Sequence, residues 1–79
     1  LAGYYVDAKQ TYGFPPAQLT LLLAALLELQ PWLTQWHSKL DPTYGVSLAG
    51  AIQGFLDAEC QGLGVTREDL ERVRMGRAA

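Results

Sequence analysis

From Pro16 onward the apolar positions of this sequence recur at helical spacing. Leu19, Leu22, Leu23, Leu26 and Leu27 keep a three-and-four rhythm, and Leu21, Ala24, Ala25 and Leu29 widen the stripe. Gln18, Thr20, Glu28 and Gln30 are nearly the only polar positions in that span. A helix apolar on almost every side belongs at the centre, packed on two or more neighbours. Pro16 suits its first position, where a missing N–H costs nothing. Pro31 lacks a backbone donor and its ring crowds the preceding turn, so the helix is expected to kink there or to end. A second helical stretch then runs from Trp32 to about Leu40, with Trp32 and Trp36 four apart and Leu33, His37 and Leu40 on one line. "DPTYG", Asp41 to Gly45, is read as its end, with Pro42 and Gly45 as breakers.

A further helix is expected from Ser47, a competent N-cap, with Leu48, Ile52, Phe55, Leu56, Cys60 and Leu63 as its buried stripe. Gly50 and Gly54 lie on its flank, and Gly62 and Gly64 supply the stop. "TRED", Thr66 to Asp69, resembles a capping box with Asp in place of Glu and opens a short helix through Met75, with Leu70 and Val73 facing the core. The opening "LAGYYVDAKQTYGFPP" shows no clean period; Tyr4, Tyr5 and Val6 fit either a short strand or one helical turn. The pattern therefore predicts an all-α fold, a compact bundle of three to four helices with an irregular N-terminal arm. The arm covers residues 1–15, the helical domain 16–75 and a frayed tail 76–79.

Composition narrows the class. A chain of 79 residues holds one domain at most, and a core of that size rarely supplies more than roughly 3–5 kcal/mol unaided. Cys60 is the single cysteine and His37 the single histidine, so neither an internal disulfide nor a zinc site of the usual spacing can form. Hydrophobic content of 49% suits a folded globular domain, and a formal charge of −2 implies no particular partner. The longest apolar run, "LTLLLAALLEL", falls short of the roughly 20 residues a membrane span needs. A lone free thiol fits a reducing, cytoplasmic setting. The sequence starts on Leu1 without Met and carries no signal-peptide pattern, so it is read as a piece of a longer or processed chain.

Candidate chemistry is sparse. Trp32 and Trp36 are read first as indoles filling the space between the long helix and the next one. On that reading Trp36→Ala would cost about 3–5 kcal/mol. The other reading makes Trp32, Trp36 and His37 an interaction surface, since Trp is enriched at partner and base-stacking contacts. Histidine is a candidate general base, and His37 has Asp41 four residues on, but no Ser or Cys nucleophile lies close in sequence, so a structural histidine is expected. Asp57 and Glu59, two apart, point to different sides of a helix and read as solvated face. Cys60, on the apolar stripe between acidic neighbours, reads as core. Arg67, Arg72, Arg74 and Arg77 are the one concentration of positive charge and the candidates for DNA contact. Glu68, Asp69 and Glu71 are interleaved with them, and Arg67–Glu71 is spaced as a helix ion pair. No nucleotide-binding, hydrolase, zinc-protease or calcium-loop motif is present, so no catalytic or metal-ligating set is assigned.

Two stretches, "LELQPWLTQWH" followed by "DPTYG" and then "FLDAECQGLGVTREDL", carry a resemblance. The chain resembles the C-terminal segment of adenine-specific DNA methyltransferases of BREX, or phage-growth-limitation, anti-phage systems. The matching positions are Pro31, Trp32, Leu33, Gln35, Trp36, His37, Asp41, Pro42, Tyr44, Gly45 and Leu63 to Leu70. The likeness spans roughly Val6 to Leu70; the ending "RVRMGRAA" departs from the Trp-Arg-Pro-Pro tail of that family. The family's catalytic Asn-Pro-Pro-Tyr loop and its S-adenosylmethionine site have no counterpart in these residues, so that cofactor is implied for a parent chain only. What the resemblance implies is a non-catalytic accessory domain, partnered by the rest of a larger chain and in reach of DNA. The alternative is a small helical protein–protein interaction or homo-oligomerisation module unrelated to DNA.

Overall fold

The computed structural model describes residues 2–78, with side chains through Gly76. It is all-α: α1 spans Ala2–Gln10, α2 Pro16–Leu40, α3 Pro42–Leu63 and α4 Arg67–Ala78. α2 and α3 form an antiparallel pair. α1 packs on α2, and α4 lies against both α2 and α3.

The segment expected to be irregular is therefore a helix. Only Tyr5 and Ala8 of α1 are buried, three positions apart, which is too short a stripe to register as a period. Nine residues of weak pattern hold a helix through packing rather than propensity. Tyr5 meets Phe55 of α3 edge-on, with centroids 5.6 Å apart, and Lys9 Nζ donates to Glu59 Oε1 at 3.0 Å. After α1 the chain turns through Gly13 at φ 62°, and the Phe14 N–H donates to the Ala8 carbonyl at 2.9 Å.

α2 runs unbroken through Pro31. The helix is braced on both sides of the proline. The Gln53 side-chain amide of α3 donates to Gln30 Oε1 at 3.1 Å, and Gly45 lies against Ser38. Asp41 ends α2, as expected, and also opens the next helix. It is the C-terminal cap of α2 and the N-terminal cap of α3 at once. In extended geometry it donates its N–H to the His37 carbonyl at 2.9 Å, while Oδ1 accepts from the Thr43 and Tyr44 N–H groups at 3.0 and 3.3 Å. Pro42, read as a breaker, takes the first position of α3, so that helix starts five residues ahead of Ser47.

α3 closes on Gly64 at φ 74°, with Val65 N–H to Cys60 O at 3.0 Å and Gly64 N–H to Gln61 O at 3.3 Å, a Schellman stop. The capping box forms as its sequence suggests: Thr66 N–H reaches Asp69 Oδ2 at 2.9 Å, and Asp69 N–H reaches Thr66 Oγ1 at 3.1 Å. α4 continues through the residues expected to fray, to Ala78. The core joins Tyr5 and Ala8, Leu19, Leu23, Ala24 and Leu26, Ile52, Leu56 and Cys60, and Leu70. The molecule is a flat plate of 36 × 31 × 18 Å with a radius of gyration of 13.0 Å, above the roughly 12 Å of a compact chain this long. Its thin dimension is about two helix layers.

Candidate functional site

The plate leaves one side of α2 bare. Leu29, Trp32, Trp36 and Leu40 recur at spacings of three, four and four, which stacks them on one face. All four are exposed, at 44%, 57%, 52% and 85%. The buried residues of α2, Leu19, Leu23, Ala24 and Leu26, all precede Pro31 and lie round the helix from that stripe. The reading of the two tryptophans as core filling is thus overturned. α3 packs on another side of α2, and among the described residues no element encloses the indoles.

Trp32 and Trp36 touch edge to face, with centroids 6.1 Å apart, and Lys39 Nζ sits 4.6 Å from the centre of the Trp36 ring. His37 faces the other way. It is half-buried and meets the Tyr44 ring edge-on at 5.2 Å, tying the end of α2 to the start of α3. The structure therefore brings Trp32 and Trp36 together and separates His37 from them. Tyr44 and Val46 are exposed at that junction, at 50% and 75%. Leu29 and Leu40 were not singled out from sequence, although their register with the tryptophans was available there.

Arg67, Arg72 and Arg74 are held within the chain. Arg67 pairs with Asp57 at 2.7 Å and donates to Gln53 Oε1 at 2.7 Å, rather than pairing with Glu71. Its Nε is buried without a partner. Arg72 pairs with Asp69, and Arg74 makes two hydrogen bonds to Glu71 Oε2, at 3.0 and 2.8 Å. Arg77 belongs to α4, but its side chain lies outside the described residues. Arg72 is the most exposed of the described three.

Of the two carboxylates expected on a solvated face, Asp57 is exposed and pairs with Arg67, and Glu59 is half-buried and pairs with Lys9. Cys60 is buried; desolvation pushes its thiol above the ordinary range, partly countered by Arg67, so it stays a neutral core residue. Burial and the adjacent Glu59 carboxylate also push the Tyr5 phenol upward, and its hydroxyl has no hydrogen-bond partner. The Thr66 backbone N–H, then Arg72, hold Asp69 below the usual carboxylate range. An open recess of ≈ 360 Å³ beside α1 is lined by Tyr4, Asp7, Ala8, Tyr12 and Phe14. Among the described residues no three His, Cys, Asp or Glu gather as a metal site, and no helix is long and apolar enough to cross a membrane.

All residues of the chain, 1–79, match a family described as "Domain of unknown function (DUF7008)". The chain is also 43% identical over 74 residues to the adenine-specific methyltransferase PglX of Streptomyces coelicolor. That alignment takes in 94% of this chain and 6% of the relative, so the chain corresponds to a small segment of a much longer protein. No solved structure matches it.

Proposed function

Because the chain belongs to the DUF7008 family, we propose that it is a non-catalytic accessory domain of an adenine-specific DNA methyltransferase in a bacterial phage-defence system. The observation that carries this is the 43% identity to a segment of an adenine-specific methyltransferase, sustained over nearly the whole chain. The residues themselves support the non-catalytic part. The sequence contains no asparagine, so an Asn-Pro-Pro-Tyr loop cannot be housed here. The titratable groups with shifted values are tied to burial or capping. S-adenosylmethionine would be held by the rest of the parent chain, which would work in the cytoplasm on DNA.

DNA contact within the domain rests on Arg72 and Arg74, with Arg77. Exposed ion pairs are weak in water, so a phosphate can displace the Asp69 carboxylate from Arg72. Arg67, bonded to both Asp57 and Gln53, is structural. The second reading, a protein-interaction module, is favoured by the bare stripe on α2.

Two measurements test the proposal. The reading frame holding these codons should encode a methyltransferase core, and the 79-residue chain titrated with S-adenosylmethionine should show no binding heat. A frame without that core would defeat the methyltransferase assignment. Binding of the methyl donor by the chain alone would defeat its accessory role.

A further inference from the structure

We propose that the stripe Leu29, Trp32, Trp36 and Leu40 is an intramolecular docking surface, by which this domain packs onto an apolar, uncharged patch of the methyltransferase chain it belongs to. The inference rests on the reading of the domain as part of such a chain. Its first support is exposure: four large apolar side chains in helical register are each between 44% and 85% open to solvent. None of the four belongs to the core cluster formed by the described residues.

Charge identifies the kind of occupant. The stripe itself carries none; of the ionisable residues of α2, Glu28 and Lys39 have opposite signs and His37 rests against Tyr44. Nucleic acid is drawn to clustered positive charge, and Lys39, the one cation here, already rests against the Trp36 ring. An apolar protein surface matches both the side chains and the field.

Area then separates a tethered occupant from a free one. Two half-exposed indoles offer roughly 150–250 Å² together. With both leucines the stripe still falls short of the roughly 800 Å² per partner that stable bimolecular association uses. A second copy would have to meet that requirement at the expense of its own freedom of motion. A covalently attached neighbour does not, because attachment holds the two surfaces at high effective concentration. In the Streptomyces relative the matching segment is 6% of the chain, so a large body of attached protein is at hand.

Hydroxyl-radical footprinting read by mass spectrometry tests this on the full-length protein and on the 79-residue chain. Trp32 and Trp36 should oxidise several-fold more slowly in the full-length protein, without DNA and independently of concentration. Equal rates overturn the proposal. So does protection that grows with the concentration of the 79-residue chain, which would make the occupant a second copy. Protection appearing only when duplex DNA is added would make it nucleic acid.

A paired variant, Trp32→Gln with Trp36→Gln, adds a second readout. In the full-length protein it should speed proteolytic release of this domain several-fold, with the melting of the 79-residue chain unchanged. An unchanged release rate overturns the docking, and a lowered melting temperature of the chain makes the indoles structural and overturns it too. A reading frame lacking a methyltransferase core would instead sink the functional assignment, whatever the footprint.

Discussion

Two apolar sets on α2, one before Pro31 and one after it, are alike in character and opposite in fate. Before Pro31 the helix carries Leu19, Leu23 and Leu26; after it come Trp32, Trp36 and Leu40, an equally apolar set. The first three are no more than 4% exposed and the last three at least 52%. Helical period explains why each set shares a face. It does not say which face meets a neighbour. The first half is enclosed because α1 and α4 join α3 around it, whereas the described residues offer the second half only the start of α3, on its far side. Hydrophobicity is a property of the residue, while burial depends on what else the chain can bring.

The largest effect that sharpens this contrast is expected at Leu23, which is fully buried. Leu23→Ala should cost about 2–5 kcal/mol, the loss of transfer energy plus an unfilled cavity. That rivals the whole stability of a core this small, so thermal melting followed by circular dichroism should show a largely unfolded variant. A Leu23→Ala chain that melts like the parent would mean that the first half is no more enclosed than the second.

Gly45 comes next, because it fixes how closely α3 returns along the second half of α2. A Cβ there would lie 2.9 Å from Ser38 Cα, a backbone atom that cannot swing aside. Gly45→Ala should therefore destabilise by about 1–3 kcal/mol, as overpacking does. Ser38→Ala should fail to restore it, since the backbone contact remains. Denaturant midpoints of the single and double variants decide the matter; full rescue would place the clash in the hydroxyl alone.

Much of this architecture was readable from the residues. The four-residue rhythm of Ile52, Leu56 and Cys60 announced the buried face of α3, and Gly64 and Thr66–Asp69 marked one stop and one start by local chemistry. What misled were residues whose meaning depends on position relative to a boundary. Asp41-Pro42 breaks a helix when met from its N-terminal side and begins one when met from the other; both are true here, with Asp41 as the shared cap. α1 left no periodic trace because only Tyr5 and Ala8 face inward. The stripe on α2 was visible as a pattern but its exposure was not, since helical period does not say which apolar face the other helices will meet.

The start of α4 offers a smaller effect, independent of either half of α2. Thr66→Ala removes one side of the reciprocal cap and should cost about 1 kcal/mol. Acid reaches the other side. Asp69 is held below its ordinary value, so its folded form titrates lower than its unfolded form. Its contribution is then complete above the ordinary aspartate value of about 3.9 and is lost as pH falls through the depressed folded value. Melting temperature in an Asp69→Asn chain, which has no carboxylate to protonate there, should accordingly fall less steeply over that acid window than in the parent. Equal slopes would detach Asp69 from the cap.

The smallest effect is the most telling. Trp36 has the bulk of a core residue, and a core location would make Trp36→Ala cost about 3–5 kcal/mol. At 52% exposure, touching Trp32 on its own helix and the stem-borne ammonium of Lys39, it has little intrachain packing to lose. The expected change in the 79-residue chain is within about 0.5 kcal/mol, as for other surface substitutions. Some of it is offset by the better helix propensity of alanine. A loss of several kcal/mol in the denaturant midpoint would show that the second half of α2 is enclosed after all, and the contrast between the halves would collapse. A near-silent substitution leaves a costly indole on the surface with no structural task inside this domain. Its reason for being there must then lie in what the domain touches.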